Sequence, residues 1–474
     1  MTRNRWALVA VGLATFMTYL DNNIVNVAIP DIQRELGLST AGIEWVVSGY
    51  ILTFAGLLLA GGRLADAWGR RRLFLIGLAG FTASSLFAGL AGGAGTLVAA
   101  RAAQGVGAAL VTPTTLAIIS ATFTDPRERN AAVGIWGGVG ALALAVGPVL
   151  GGLLTQHVSW EWIFWINLPV GIATMALGAW AVTESREEEA RSLDLPGLGL
   201  STVTLFSLTW ALIEGHDRGW TSTGILGAFG VAALSALAFV VVEGRVAQPM
   251  VDVSLFRRRE FTGGIVALML WAFGLFGIYF FTSLYLQDVL GFSPTKAGAA
   301  FVPMAVLMAV SAVLSDRVAA RFGAYRSTGF GMLAMGLAIG SVSLLGKDAS
   351  FLSLMPSFAV IGIGGGMTIP LTATVLGVMP TGQAGVASAV FNASREVAGL
   401  LGITVIGAVL TSRQGSAIAA GHAPVDAFLT GYRAGLLLAA GLVVAGGVMA
   451  FAALRRAHVA AVAETTRDDL VLAG

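Results

Sequence analysis

The sequence predicts an all-α integral membrane protein with fourteen transmembrane helices, arranged as two six-helix bundles with two extra central helices. Three observations carry that prediction. Of the 474 residues, 56% are apolar or aromatic and only 11% are charged, against roughly 25% charged in soluble proteins. Apolar runs of about 20 residues, enough to cross a hydrocarbon core about 30 Å thick, recur along the whole chain. The 63 glycines and a mean hydropathy of +0.82 suit helices that pack closely in lipid.

Charged and turn-rich breaks place the spans at 6–29, 43–65, 73–92, 96–119, 130–155, 162–183, 196–214, 223–243, 261–286, 297–316, 325–345, 351–373, 386–411 and 430–454. The first run continues past Asp21 without a small-residue cleavage site, so it reads as a retained helix rather than a signal peptide. Spans seven and eight are the least regular, because Glu214, His216 and Asp217 interrupt them. Residues 1–184 form the expected N-terminal bundle, 185–260 a linker carrying two extra helices, 261–454 the C-terminal bundle and 455–474 a cytoplasmic tail.

Cytoplasmic loops attract Lys and Arg. With the N-terminus cytoplasmic, twenty fall on that side and six on the other, leaving Arg101 and Arg395 within spans. The asymmetry predicts an even number of spans and two cytoplasmic termini in a cell (inner) membrane. The net charge of +2 is too small for a polyanion-binding surface, so nucleic acid is not an expected partner. Without cysteine, and with His157, His216, His422 and His458 far apart, the sequence suggests neither a metal site nor a bound cofactor. No GxxxxGK[ST] occurs, so transport energy is expected from an ion gradient; no nucleophile with a base and no metal cluster lies in the spans, so an enzyme is not expected. A sensor would be expected to carry a soluble output domain, and no loop is long enough for one.

Two loops resemble each other. GGRLADAWGRRR at 61–72 and AVLSDRVAARFG at 312–323 each place an Asp, Asp66 or Asp316, after a helix end and before basic residues and a Gly. Corresponding motifs in two halves mark transporters built from repeated bundles, with a substrate site between them near the midplane.

Five segments, one of them the first of these loops, carry a family resemblance. GRLADAWGRRR at 62–72 is similar to the signature between helices 2 and 3 of the major facilitator superfamily, and RAAQGVGAA at 101–109 to its fourth-helix signature. GVGALALAVGPVLGG at 138–152 resembles the antiporter signature of the fifth helix, while LDNNIVNVAIP at 20–30 and WEWIFWINLPVG at 160–171 resemble the first and sixth helices of the fourteen-helix drug:proton antiporter branch. GQAGVASAVFNASREVAGLLG at 382–402 is a looser match to the thirteenth helix. The chain departs from the branch at Asn23, where Thr is usual, and at Glu161, where Arg is common. The resemblance implies the major facilitator fold, alternating access, proton coupling at Arg101, and an export-linked bend in the fifth helix.

The residues support a corresponding set of candidates. Asp21 lies deep in a span, where an ionised carboxylate costs about 2.5–3.5 kcal/mol on insertion scales. It shares a helix face with Ala14, Thr18, Val25 and Ala28, and it suits either proton exchange or a cationic substrate; the alternative is a static bond pinning the first helix. Arg101 cannot shed its charge, so it requires a carboxylate, carbonyls or water, and Gln104 lines the same face one turn on. Ser388, Asn392, Arg395, Gly399 and Gly402 form a polar and small stripe on the thirteenth span. Glu396 stands beside that stripe, and because adjacent residues point about 100° apart, Arg395 and Glu396 are each expected to find a partner on another helix.

A conformational gate is expected from Gly62, Asp66, Gly69, Arg70, Arg71 and Arg72, whose contacts would change between two arrangements. Gly147, Pro148, Gly151 and Gly152 would bend the fifth helix and admit close packing. Gly364, Gly365, Gly366 and Pro370 are candidates to loosen the twelfth. Trp136, Trp165, Trp271, Phe276, Tyr279 and Phe280 are suited either to packing or to stacking on a planar cation, and Trp160 and Trp162 read as interfacial anchors. The expected activity is proton-coupled efflux of amphipathic or cationic organic compounds by a monomer, with a small organic substrate, protons and the lipid bilayer as partners. Export of a single metabolite, antibiotic or lipid, or a non-transporting sensor, are the alternatives.

Overall fold

The computed structural model describes residues 3–186, 194–377 and 384–472. Fourteen principal helices follow one another, and among the described residues there is no strand. They are α1 (Arg3–Leu36), α2 (Thr40–Trp68), α3 (Arg70–Gly89), α4 (Ala94–Thr122), α5 (Pro126–His157), α6 (Trp162–Ala181), α7 (Leu195–Arg218), α8 (Thr223–Glu243), α9 (Arg259–Val289), α10 (Pro294–Phe322), α11 (Ala324–Val342), α12 (Phe351–Gly366), α13 (Ala384–Ala419) and α14 (Pro424–Leu472). Among the described residues, thirteen helical stretches are long and apolar enough to cross a membrane. The remaining helix, α11, has 19 residues and carries Tyr325, Arg326, Ser327 and Thr328 just after its first residue, Ala324, which lower its apolarity.

Local chemistry explains the helix ends. Ser39 caps α2 by accepting from the Gly42 N–H at 3.1 Å. Asp125 accepts from the Arg127 and Glu128 N–H groups at 2.9 and 3.0 Å, with Pro126 as the first helical residue of α5, satisfying donors a helix start leaves unpaired. The twelfth span breaks after Gly366 and resumes at Ile369, where the glycine run was expected to loosen it. The α14 helix continues through Leu472, so residues expected to form only a polar tail extend the last helix.

The chain packs as two compact units. The first comprises Met1–Met250, Tyr279–Val302 and Ile403–Ser412. Its core is built where α4 meets α2 and α3, and where α1 meets α5 and α6, around the buried side chains of Ile24, Tyr50, Phe74, Phe81 and Phe164. The α7 and α8 helices pair with each other, tied by a 2.9 Å bond between the Thr204 and Ser235 hydroxyls, and α7 rests on α2. Leu226, Leu234 and Leu237 of α8 are 55%, 70% and 63% exposed, an apolar surface suited to lipid. The second unit comprises Val251–Ile278, Pro303–Gly402 and Arg413–Gly474. In it α11 packs on α12 and α14, burying Met332, Met335, Phe358, Leu436 and Val443.

The loop repeat reappears as backbone geometry. A single glycine at positive φ joins α2 to α3 (Gly69, +109°) and α10 to α11 (Gly323, +89°), a conformation that residues with a Cβ rarely adopt. Aligned on these glycines, the two aspartates do not coincide. Asp66 precedes its glycine by three residues and Asp316 by seven, about one helical turn earlier on a similar face.

Candidate functional site: a buried polar network and its supporting glycines

Glycines in α4 let the chain bring charge into the first unit's core. A Cβ on Gly105 would overlap the Tyr50 carbonyl oxygen of α2, and one on Gly107 would stand 2.6 Å from the Phe81 nitrogen of α3. This close approach places Arg101 and Gln104 of α4 against α1, α3 and α6. Arg101, Gln104 and Asp21 are all fully buried.

The Arg101 guanidinium donates from Nη1 to Asp21 Oδ2 at 2.5 Å and to Gln104 Oε1 at 2.7 Å, and from Nε to the Val46 carbonyl at 3.3 Å. Gln104 Nε2 donates at 2.7 Å to both Asp21 Oδ1 and Ser85 Oγ. Asn167 Nδ2 completes the group, donating to Asp21 Oδ1 at 2.9 Å and Ser85 Oγ at 3.3 Å. Tyr50 and Phe164 present ring faces to the guanidinium, 4.3 and 5.7 Å from its central carbon, which favours a desolvated cation. Arg101 Nη2 has no hydrogen-bond partner among the described residues. The arrangement therefore holds a carboxylate with three donors and a cation with spare hydrogen-bonding capacity, sealed from solvent. Such a pair is stable only while both charges are present, because removing one leaves the other buried and unpaired.

Asp21, Arg101 and Gln104 were all expected here, and they fall together. Ser85 and Asn167 were not singled out in the sequence. Both are polar residues in apolar spans, and Asn167 lies inside the WEWIFWINLPVG segment, so polarity at span depth is the signal that would have found them.

The thirteenth-helix candidates belong to the second unit. Arg395 donates to Glu396 Oε1 from Nε at 3.1 Å and Nη2 at 2.7 Å. The two neighbours thus pair with each other. A long arginine side chain can bridge the 100° between adjacent helical positions. Glu396 is 3% exposed, and its Oε2 has no hydrogen bond among the described residues. Asn392 lies one turn from these residues, half-buried; the Ser388 side chain lies outside the description. Gly399 faces the Phe276 ring and Gly402 the Phe273 backbone, so this part of the stripe receives α9.

The loop candidates form a charged cluster in the first unit. Arg70 donates to Asp66 Oδ1 from Nε at 3.1 Å and Nη2 at 2.8 Å. Glu184, which the sequence reading did not single out, accepts from the backbone N–H groups of Arg71 and Arg72, each at 3.0 Å, as a carboxylate does at a helix N-terminus. The Arg71 side chain donates to the Ala179 carbonyl. Gly62 has only ordinary contact with Pro113, whereas a Cβ on its neighbour Gly61 would overlap the Ala109 carbonyl oxygen. The close α2–α4 approach therefore depends on Gly61. Replacing Gly69 with alanine should lower stability by about 1–3 kcal/mol, because its φ is positive and the new Cβ would stand 2.7 Å from Glu184 Oε1; chemical unfolding in detergent would measure it.

Glycines of α5 open its two sides. Gly147 stands against Asn23 and Gly151 against the Ile24 carbonyl, both on α1, while Gly152 meets the Pro294 carbonyl at the start of α10. The helix runs unbroken past Pro148, whose carbonyl meets Gly298. Gln287, in the π-helical turn Tyr285–Val289 that ends α9, donates to the Val27 carbonyl at 2.8 Å. Within the first unit, the ends of α1 and α5 are thus packed against the end of α9 and the start of α10.

The aromatic candidates mostly pack. Tyr279 stacks on Phe301 at 5.0 Å, Phe280 meets Phe281 edge-on at 4.7 Å, and Trp136 donates to the Thr115 hydroxyl at 3.1 Å. Trp165 lies against Trp162 and Gly89, and Trp271 is near Gly365. Trp160 is 2% exposed and donates to Glu35 Oε2 at 3.0 Å, a partner that allows the indole to be buried. Trp162, at 44% exposed, remains open.

Comparison with known proteins places this geometry. The chain is 36% identical over 410 residues to the tetracenomycin C resistance and export protein of Streptomyces glaucescens, covering 86% of this chain and 76% of that protein. It is 35% identical to the puromycin resistance protein pur8 of Streptomyces alboniger, over 95% and 91% of the two chains, and 37% identical to the cephamycin export protein CmcT of Amycolatopsis lactamdurans, over 84% of each. Among solved structures, the POT family transporter PepTSo matches with a TM-score of 0.70 at 15% identity, over 96% of this chain and 98% of that one. A bacterial homologue of the lysosomal transporter Spinster, inward-facing and unoccupied, matches with a TM-score of 0.68 at 16% identity, over the same shares; these two likenesses concern the fold. A profile of the Major Facilitator Superfamily spans residues 11–403, and with the repeated one-glycine turns and the all-helical architecture, it makes this chain an integral, multi-pass membrane protein belonging to that superfamily.

Proposed function

We propose that the chain is a proton-coupled efflux transporter that exports amphipathic or cationic organic compounds by alternating access. The observation that carries this reading is the network of Asp21, Arg101, Gln104, Asn167 and Ser85, a charged group too costly to bury in a membrane core without a use. The resistance and export proteins among the relatives support the outward direction. Their names each give one compound, which favours a second reading, dedicated export of a single antibiotic or metabolite.

In the proposed cycle, bundles 1–184 and 261–454 rock about a central cavity in a bacterial inner membrane, with both termini cytoplasmic and the helices of 185–260 as an insert. Asp21 takes up a proton when the network opens and gives it up when Arg101 returns, so protonation and shape are tied together. Arg395, Glu396 and Asn392 form a second polar group for substrate or proton. Asp66, Arg70 and Arg71 make contacts that one arrangement keeps and the other breaks. Proton entry along a membrane potential supplies about 2.3 kcal/mol per charge per 100 mV.

Proteoliposomes with an imposed pH gradient test this reading. A panel of lipophilic cations should trigger dye-reported proton release in wild type and not in Asp21→Asn. Where Asp21→Asn does not fold, the charge-free pair Asp21→Asn with Arg101→Gln replaces it. Unchanged release in a folded Asp21 variant would remove Asp21 from the coupling path. Substrate uptake without any proton release would overturn antiport.

A further inference from the structure

A groove within the second unit has no part in the proposed cycle. It runs between α10, α11 and α12 and has a volume of about 340 Å³. Its floor lies where α11 and α12 approach so closely that a Cβ on Gly364 would overlap the Gly331 carbonyl oxygen. Phe322, Phe330, Val360 and Ile363 form its apolar walls, and all four are exposed.

Charge enters at one end only. Arg326, the third residue of α11, lines the groove. Its guanidinium lies 5.3 Å from the centre of the Tyr325 ring and has neither a hydrogen bond nor an ion pair among the described residues. Arg321, beside Phe322 at the end of α10, is likewise unpaired among them. Ser327, the other polar lining residue, donates its hydroxyl to the Met367 carbonyl at 3.3 Å. No carboxylate lines the groove. Asp316 is exposed and lies two residues before the lining residue Val318.

These features select an occupant. A groove that is apolar along its length and cationic where the helices end fits an amphipathic anion with its head at the membrane surface. From Arg326 to Ala334 it follows eight residues of α11, about 12 Å at a rise of 1.5 Å per residue. One leaflet of a hydrocarbon core is about 15 Å deep, so that length takes most of an acyl chain's path through it. A partner helix about 10 Å across would need roughly 900 Å³ over the same length, far more than the groove holds. We propose that the groove is a binding site for an anionic membrane phospholipid, with the phosphate on Arg326, Arg321 alongside, and one acyl chain laid against Phe330 and Ile363. Basic pockets between membrane helices hold anionic head groups in the same way. A zwitterionic lipid gains less, because no carboxylate is present to receive its amine. The site depends on neither proton coupling nor the direction of transport.

Photocrosslinking tests it. In full-length protein in mixed micelles, a phosphatidylglycerol with a photoreactive group in its acyl chain should label the α11 and α12 peptides that contain Phe330 and Ile363. Unlabelled phosphatidylglycerol should compete about fivefold better than phosphatidylcholine, the factor equivalent to about 1 kcal/mol for one arginine at an anionic lipid surface. Arg326→Gln should abolish that preference. Ile363→Trp, which fills the groove from an exposed position, should abolish the labelling itself. Arg413→Gln and Leu337→Trp, both at exposed positions outside the groove, should change neither result. Labels that map elsewhere, equal competition by the two lipids, or a preference that survives in Arg326→Gln would overturn the site. Displacement of the label by lipophilic cations, stronger in Arg326→Gln than in wild type, would assign the groove to substrate and overturn it equally. The readout is binding, so a failure of the exporter reading leaves the result interpretable.

Discussion

Arg101→Leu should cost about 3–5 kcal/mol of folding stability, the usual penalty for breaking a buried ion pair from one side. Asp21 would keep its bonds from Gln104 and Asn167 and lose the only cation bonded to it among the described residues. Adding Asp21→Asn should recover much of the loss, since a neutral polar group in the same place keeps two donors and buries no charge. Export should be lost in both proteins, because the first lacks the arginine that would draw the proton off Asp21 and the second has no acidic proton at position 21. Equilibrium unfolding in mixed micelles, with transport measured alongside, separates the two effects. Equal stability of the single and double variants would mean that Arg101 acts through packing on Tyr50 and Phe164 rather than through charge.

Gly105→Val should prevent folding, and Gly61→Val should come close to doing so. Overpacking costs about 1–3 kcal/mol when side chains can yield, but here the obstructing atoms are the backbone carbonyl oxygens of Tyr50 and Ala109. Relief requires α2 and α4 to separate, which would also withdraw Arg101 and Gln104 from Asp21. The matched controls are Gly134→Val and Gly137→Val on α5, where a Cβ meets nothing within 4 Å. Those should be neutral to within about 0.5 kcal/mol. Monodisperse recovery from detergent extracts reads all four, and a well-folded Gly105→Val would show that the α2–α4 approach is not required.

These glycines also show what could be read from sequence and what could not. The helices were legible because each span is an uninterrupted apolar run between charges, and membrane helices leave little choice about what such a run does. Asp21, Arg101 and Gln104 were legible for the opposite reason, as costly groups in apolar surroundings. Which of the 63 glycines carries a helix contact was not legible, because Gly61 and Gly62 are equivalent on paper and differ only in which one faces α4. The direction of a flexible side chain was equally hidden: helix geometry points Arg395 and Glu396 apart, and the arginine stem folds back to join them. Glu184 escaped notice because its role depends on two backbone N–H groups, which no side-chain motif reports.

The single-residue links at Gly69 and Gly323 have a mechanical consequence. A connection of one residue has no slack, so α2 cannot slide along α3, nor α10 along α11, without unwinding a helix end. Each pair can act as a stiff beam pivoting about one glycine. A tilt imposed at one end of α2, twenty-nine residues from Gly69, would then arrive at the start of α3 almost undiminished, turning a small shift at the far end into leverage on the Asp66 and Glu184 contacts.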